Sequence, residues 1–588
     1  MTLDSRIDFA DPHDPAGARL RAAAGPPRAV LAAYTLDEVR PVLDAAEAAA
    51  RAGAWVLGWL RYEAAPAFDA AFTVHASAPG QPLAWFGVHA ALQPWPAADE
   101  PGDAQVQWQG GHERAAFDAA LARIQQAIGA GELYQVNYTA PLLGALQGSA
   151  AALFAALQRA QPGGYAAHIA AGATQVLSVS PELFFDWQAG ADGRGPILTR
   201  PMKGTAARAA TPADDAQQAA RLRASPKERA ENVMIVDLLR NDLSRIAEPH
   251  SVRVPALFQT APLPAVWQMT SDVAATTRAG TRLQDVFAAL FPCGSVTGAP
   301  KVQAMRAIAA LEDGPRGVYC GALGLLQPQA GGGLRATFNV PIRTVELQGS
   351  AVRCGIGSGI VWGADPDAEW REWAAKRAFV ERASEPFDLL ETLRLEAGEY
   401  RHLPEHLERM QQAAAHFGYP WDGATVHQCL QALADGHPQG AWRTRLRLDA
   451  SGAPRAEAFA LQPTPEPVTL RLAGRAFAAA HSEFVHHKTT RRAHYAAFAP
   501  TQPGVFDTVL WNEQGELTEG TFGNIALLLD GRWVTPPLAC GLLPGVGRAQ
   551  ALRAGRVIEA VVRLDDLPRV QGWAFINSLR GWLVARLA

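Results

Sequence analysis

Short apolar runs that return in hairpin-like pairs, broken by only a few helical stretches, constrain this chain more than any other feature. Trp55–Leu60, Glu132–Thr139, Gln175–Val179, Leu183–Trp187, Ala322–Leu326, Thr337–Val345 and Ile356–Val361 read as strands. A long helix is expected from Arg114 to Ala130, because Phe117, Leu121, Ile124 and Ile128 recur at helical spacing and Gly129-Ala130-Gly131 supplies a stop. Regular strand–helix–strand alternation is missing, so the class is α+β. Near Arg382-Ala383-Ser384-Glu385-Pro386 the pattern restarts with a strand (Phe387–Leu395), a turn and a helix (Pro404–Phe417). We expect a first unit over residues 1–384 and a second over 385–588. The proline-rich Gln462–Pro467 would split the second into a small lobe, 385–462, and a large lobe, 468–588.

At 588 residues the chain is long enough for several buried cores. A net charge of −4 gives no basic excess, which argues against nucleic acid as a partner. No run reaches the roughly 18 apolar residues of a membrane span. The polar, acidic start, MTLDSRIDFADPHD, does not read as a secretion signal. Five scattered cysteines without a CxxC pair disfavour zinc and a disulfide framework, and a cytoplasmic protein is expected.

Chemistry concentrates first at Thr199-Arg200-Pro201-Met202-Lys203-Gly204-Thr205. Lys203 has no carboxylate within two residues, and it follows a strand that reads as buried. A lysine in a partly dry, glycine-flanked turn can lose its proton and act as a nucleophile, although for the segment alone a surface turn is the better explanation. Glu182, in Ser180-Pro181-Glu182, precedes three apolar residues, and desolvation there would suit it to general acid work. Two helices carry glutamates three apart: Glu228 and Glu231 in one, Glu369 and Glu372 in the other. Each pair alone fits a solvated face, but two such pairs could clamp one Mg²⁺. Phe291–Lys301 forms a small-residue loop before a helix, a cradle for an anion. Gly357-Ser358-Gly359 can offer bare backbone amides, and Arg343 is expected to point from a strand and fork onto a carboxylate.

In this order YQVN, SPE, TRPMKGT, KERAEN, VDLLRNDL, FPCGSVTGAPK, NVPIRT, GIGSGIV and a terminal ExxExxxK resemble the chorismate-utilising enzymes over residues 110–380. The resemblance implies an anthranilate-synthase-like two-sheet α/β sandwich that binds chorismate with Mg²⁺. Anthranilate synthases have alanine at the place of Lys203, and isochorismate synthases have lysine at the place of Gln135. The pair Gln135 and Lys203 is therefore similar to the aminodeoxychorismate synthase branch. By that likeness Lys203 attacks ring C2, Glu182 protonates the departing C4 hydroxyl, and ammonia then takes C4. Glu231 and Glu372 would hold Mg²⁺ on a substrate carboxylate. Gly204, Thr205, Arg343, Gly357, Ser358, Gly359 and Lys376 would contact substrate. Two positions depart from the family pattern: Gln268, where histidine is usual, and Leu325, where tyrosine is common. No cysteine lies in a context for amide hydrolysis, so ammonia is expected free or from a separate glutaminase subunit.

The second unit sets Lys488 in His486–Arg492, Glu519 at a turn entering a strand, and a glycine-rich loop, Gly541–Arg548, before a helix. A lysine, an acid and a phosphate cup make a set suited to pyridoxal phosphate. HLERM, HKTTRR, WNEQGELTEGTFGNI, TPPLACGLLPGVGR and NSLRG resemble the class IV aminotransferases, closest to their aminodeoxychorismate lyase branch. The fold implied is two-lobed and D-amino-acid aminotransferase-like. Lys488 becomes the Schiff-base lysine and proton shuttle, Glu519 the partner of the pyridinium nitrogen, Arg409 a phosphate ligand, and Val546 and Gly547 amide donors to phosphate. The likeness leaves room for a homodimer through this unit. Together the halves imply p-aminobenzoate made from chorismate for folate synthesis. The alternatives are an anthranilate-type enzyme joined to an amino-acid transaminase, or a purely structural C-terminal unit.

Overall fold

The computed structural model of the chain describes residues 5–96, 103–111, 113–207, 212–262 and 266–588. It divides into two compact units, Met1–Glu385 and Pro386–Ala588.

The first unit is built on two ten-stranded antiparallel sheets. Gln135–Gly148, Ala351–Val361, Thr344–Gln348, Thr174–Ser180, Tyr165–Ala171 and Ser5–Asp11 are consecutive neighbours in one. In the other, Met202–Ala207, Val266–Thr277, Gly195–Arg200, Leu183–Ala189, Leu334–Asn339, Ala322–Pro328 and Trp55–Leu60 follow one another. Alternation along the strands gives each sheet an apolar inner face. Ile7, Phe9, Tyr165 and Ile169 from the first sheet meet Trp59, Leu183, Leu198 and Leu323 from the second in one buried cluster. Helices cover the outer faces: Leu36–Arg51 joins the core of the second sheet, Arg114–Gly129 and Ala150–Ala160 that of the first. The helix at Arg114 buries Phe117, Leu121 and Ile124 and ends beside Gly131, whose φ is 79°. Of the connection read from Leu92 to Gln109, part lies outside the described residues, and Ala104–Gly110 within it is a strand paired with Gln135–Gly148.

One expectation is corrected here. Thr337–Val345 is not a single strand. Leu334–Asn339 ends in the second sheet, Thr344–Gln348 begins in the first, and Val340–Arg343 crosses between them. Pro341 carried the signal of the break, because it cannot donate to a strand ladder, but the β-rich residues on either side of it read as one continuous strand. Arg343 therefore leaves from the crossing, at φ 50°, rather than from a strand. Ser180-Pro181-Glu182 makes the same passage in reverse, from Thr174–Ser180 of the first sheet to Leu183–Ala189 of the second. The two crossings bond to each other. Ser180 Oγ donates to Val340 O at 2.5 Å, Val340 N donates to Glu182 O at 3.1 Å, and Val179 N donates to Arg343 O at 3.1 Å.

The second unit has a four-stranded sheet, Glu399–Tyr400, Leu389–Glu396, Ala441–Leu448 and Pro454–Ala460, packed on helices Leu403–Phe417 and Gly423–Asp435. After Gln462–Pro467 an eight-stranded mixed sheet begins at Val468–Leu472 and forms its own core. Among the described residues no helix is long and apolar enough to cross a membrane.

Candidate functional sites

Lys203 sits in a β-bulge. Met202 pairs with Thr270 and Thr205 with Gln268, so three steps on one strand face two on its neighbour, and the surplus falls at Lys203-Gly204. Bulges re-aim a side chain out of the strand's alternation, and a glycine in the left-handed region accommodates the kink. Gly204 has φ 92°, and a Cβ there would lie 2.9 Å from Glu228 Oε2. Neighbours clamp the bulge. Arg200 forks onto Asp272 at 2.6 and 2.9 Å, Ser271 N donates to Pro201 O at 3.3 Å, and Gln268 Nε2 donates to Gly204 O at 3.0 Å. Gln268, flagged as a departure, thus holds the backbone beside the lysine. Thr205 is exposed at the end of the bulge.

The aimed lysine reaches Gly359. A Cβ at Gly359 would fall 2.9 Å from Lys203 Nζ and 2.2 Å from Gln135 Nε2, so only glycine leaves room for both groups. Gln135 is fully buried, and neither its Oε1 nor its Nε2 has a hydrogen-bond partner. An orphaned amide of that kind is costly unless a ligand meets it. Glu182 is 3% exposed and its Oε1 is likewise unpartnered. Burial raises its carboxyl to about 7, against the Ser295 hydroxyl, the charge of Lys203 and the Met202 amide. Burial, aided by Lys376, pushes the Lys203 amine down, while Glu231, Glu182 and Glu372 oppose the shift. Burial thus favours the protonated acid and the neutral amine side by side.

Gly357-Ser358-Gly359 lies within Ala351–Val361, which pairs with Gln135–Gly148 along its whole length. On its other edge only Ala351–Cys354 pair with a strand, so from Gly355 onward alternate backbone groups of that edge have no strand partner. The Ser358 side chain is engaged within the protein, donating to Glu369 Oε2 at 2.6 Å and accepting from Trp373 Nε1 at 3.0 Å. Gly357 O accepts from Lys376 Nζ at 2.9 Å. The lysine also pairs with Glu372 at 2.7 Å.

The two glutamate helices begin at Pro226 and Pro366, each with proline in its first turn and a side-chain cap from Ser225 or Asp365. Their acids sense one another. Burial raises Glu231, with Lys203 opposing and Glu228 adding to the shift, and burial raises Glu369 with help from Glu372. Burial works against Glu372 too, but Lys376 outweighs it and holds that carboxyl below its ordinary range. Among the described residues no three His, Cys, Asp or Glu side chains gather closely enough to hold a metal by themselves. One or two carboxylates, completed by water and substrate oxygens, remain the arrangement that suits Mg²⁺.

Arg343 donates to Gln161, and burial alone lowers it to about 10 with no acid offsetting the shift. A guanidinium so placed suits an anionic ligand. The loop Phe291–Lys301 proves structural in part: Lys301 bonds Asp242 at 2.9 Å and Leu290 O at 3.3 Å. Sequence reasoning missed Arg316 and Glu312. Arg316, 2% exposed, donates to Val296 O and Asn137 O at 2.7 Å and to Glu312 Oε1 at 2.6 Å, joining the loop of Ser295 to the strand of Gln135.

In the second unit a cavity of about 400 Å³ is lined by Lys488, Glu519 and Arg409, among others. Burial, together with the charge of Arg409, lowers Lys488 to about 7, against Glu391 and Glu519. Glu519 is raised by burial to about 8, although it accepts from the Tyr495 hydroxyl at 2.6 Å and Leu543 N at 3.2 Å. Arg409 forks onto Glu391 at 2.7 and 2.6 Å and donates to Pro544 O at 3.0 Å. Glu391, 1% exposed, is held far below the carboxylate range because Arg409 and His406 outweigh its burial. The sequence carried a signal for it: Glu391 falls on the buried phase of Leu389–Glu396, where an acid needs a cationic partner. Val546 and Gly547 open the helix Val546–Arg553 at the cavity wall. A Cβ on Gly547 would come 2.7 Å from Asn577 C, and one on Gly545 1.9 Å from Asn524 Oδ1, so the wall is closed by bare backbone. Arginine, helix amides, lysine and a buried acid at one cavity fit pyridoxal phosphate.

Comparison with known proteins matches residues 87–382 to the chorismate binding enzymes and residues 388–587 to the class IV amino-transferases. Aminodeoxychorismate synthase component 1 of Klebsiella aerogenes is 40% identical over 265 residues, covering 45% of this chain and 57% of that protein. Anthranilate synthase component 1 of Streptomyces coelicolor is 37% identical over 278 residues, covering 47% of this chain and 53% of that one. The chain thus spans little more than half the length of these curated relatives. Among solved structures, anthranilate synthase component I of Streptococcus pneumoniae aligns at a TM-score of 0.50 and 22% identity, over 65% of this chain and 91% of that one. That likeness concerns the fold alone.

Proposed function

The chain belongs to the chorismate binding enzymes, and from that premise we propose that it makes p-aminobenzoate from chorismate in two steps, one in each unit. The observation that carries the first step is the meeting of Lys203 Nζ with Gln135 Nε2 over Gly359, with the buried Glu182 bonded at the Met202 amide next door. Lys203 in its neutral form bonds to ring C2 as the C4 hydroxyl leaves, and Glu182 gives that hydroxyl its proton so that it departs as water. Ammonia then bonds to C4 and the C2–nitrogen bond to Lys203 breaks, giving 4-amino-4-deoxychorismate. Splitting one displacement into two lowers each barrier. Arg343 and the unpaired edge beyond Gly355 suit the substrate carboxylates, with Gly357 and Gly359 in that strand and Thr205 two residues beyond Lys203. Glu231 and Glu372 would hold Mg²⁺, which neutralises a carboxylate and orients the ring.

The class IV match over the second unit supports elimination of pyruvate there. Arg409, Val546 and Gly547 would hold the phosphate of pyridoxal phosphate and Glu519 its ring nitrogen; when bound, that group supplies an electron sink. Lys488, near 7, can take a proton from substrate C4 and return one to the departing three-carbon unit. Loss of pyruvate leaves an aromatic ring, which drives the step. The words "component 1" in the relative's name support a separate chain that supplies ammonia. The test is a product assay on the purified chain with chorismate, ammonium, Mg²⁺ and pyridoxal phosphate. p-Aminobenzoate with pyruvate supports both halves. Accumulating 4-amino-4-deoxychorismate removes the second, and anthranilate overturns the first.

A further inference from the structure

The cavity around Lys488 is lined by four arginines, and three have no part in the arrangement above. Arg409 is engaged by Glu391 and Pro544 O, and Arg492 donates to Thr521 O at 2.6 Å. Arg443 and Arg580 also line the cavity, yet among the described residues neither guanidinium has a carboxylate or carbonyl partner. Arg443 comes from the small-lobe strand Ala441–Leu448 and lies over the Phe459 ring at 4.8 Å. Arg580 comes from the turn between Val570–Asn577 and Gly581–Leu587, and its Nε is buried with no partner. Two unpaired cations from different lobes on one cavity repel each other unless an anion lies between them.

The charged groups on this cavity divide by how they are engaged. Arg409, Arg492 and Glu519 are bonded within the protein. Arg443 and Arg580 line the wall without such bonds, one from the small-lobe strand and one from the turn before Gly581–Leu587, and act on each other. Phosphate is already provided for by Arg409 and the amides at Val546 and Gly547. An α-amino acid carries its carboxylate one carbon from the amine, within reach of the first group. The second group suits carboxylates several bonds away from the reacting nitrogen.

We infer that Arg443 and Arg580 form the carboxylate-binding end of this cavity and select an amino substrate with two carboxylates set away from its amine. The inference rests on the reading of the second unit as a pyruvate-eliminating site, and it assigns the residues that would exclude ordinary amino acids there. Paired guanidiniums match carboxylates by geometry as well as charge.

The test uses the full chain loaded with pyridoxal phosphate, whose absorbance reports this cavity and not the first unit. Wild type, Arg443→Gln and Arg580→Gln are titrated with 3-(1-carboxyvinyloxy)benzoate, which has two carboxylates and no amine, and with benzoate, which has one. Each variant should weaken the dicarboxylate by roughly 10- to 100-fold and leave pyridoxal phosphate affinity within about twofold. KM for p-aminobenzoate release should rise with kcat changed far less. Unaltered dicarboxylate binding in both variants overturns the inference, as does a wild type that shows no preference for the dicarboxylate over benzoate. Loss of pyridoxal phosphate from either variant also overturns it, by assigning that arginine to the phosphate. Arg443→Gln and Arg580→Gln alter different lobes, so a folding defect in one leaves the other to decide. If the chain makes no p-aminobenzoate, the elimination reading fails while the titration still reports on the arginines. If p-aminobenzoate forms and both variants bind as wild type, only this inference fails.

Discussion

Each unit places one half-buried lysine beside one buried glutamate, yet the two surroundings have opposite sign. Lys203 stands among carboxylates: Glu182, Glu231 and Glu372 all act on it, with Lys376 as the nearby cation. Lys488 stands among arginines, with Arg409 and Arg492 pressing on it and Glu391 committed to Arg409. Burial lowers both lysines, but a carboxylate-rich setting needs a cation to complete it, whereas an arginine-rich one needs anions. The first therefore fits a metal and a substrate that carries its own carboxylates. The second fits a phosphate-bearing cofactor. The same residue pair, lysine and glutamate, suits two different ligands because the remaining charges differ.

Removing either lysine should have the largest effect and divide the units cleanly. Lys203→Ala is expected to cut consumption of chorismate with ammonia by about a thousandfold or more, and Lys488→Ala to stop p-aminobenzoate while 4-amino-4-deoxychorismate accumulates, both read by chromatography. A single variant that abolished both products' formation from their own substrates would erase the division. Glu182→Gln should lower kcat for amination by roughly 100- to 10,000-fold. Its pH profile sharpens the comparison. With the acid raised to about 7, wild-type amination should decline as pH rises past 7, and should fall at lower pH as the depressed Lys203 takes up its proton. Glu182→Gln should lose the alkaline decline, and a retained decline would assign it to another group. Glu372→Gln should raise the Mg²⁺ concentration needed for half activity by roughly tenfold, with no change in pyruvate release from supplied 4-amino-4-deoxychorismate. The smallest effect is on stability. Glu519 ionises near 8 in the fold, well above the ordinary carboxylate, so its contribution is intact at low pH and is lost as pH rises through 8. Without pyridoxal phosphate the second unit should therefore melt a few degrees lower at pH 9 than at pH 7, and Glu519→Gln should flatten that difference in a thermal scan.

Much of this was legible beforehand. The helix at Arg114 and the two helices that carry the glutamate pairs follow from local spacing. Lys203 and Glu182 stood out beside buried strands, and Lys488 and Glu519 as a lysine and an acid in turns ahead of a glycine-rich loop. Less legible were the crossings. Thr337–Val345 reads as one strand-like run, and Pro341 marks a break within it without showing that the chain changes sheets there. The support of each site was also hidden: Arg316 bonds groups near residues 137 and 296, and Tyr495 bonds Glu519.

By itself the sequence determined which side chains were available, that helices carry the glutamate pairs, and that lysines and acids recur in both halves, since those depend on neighbours within a few residues. Only the tertiary structure decided that the bulge at Lys203-Gly204 aims the amine at Gly359, that Gln135 arrives there unpaired, and that Arg443 and Arg580 share a cavity with Lys488. Those outcomes depend on strand register and on burial, and both are set by contacts between residues far apart in the chain.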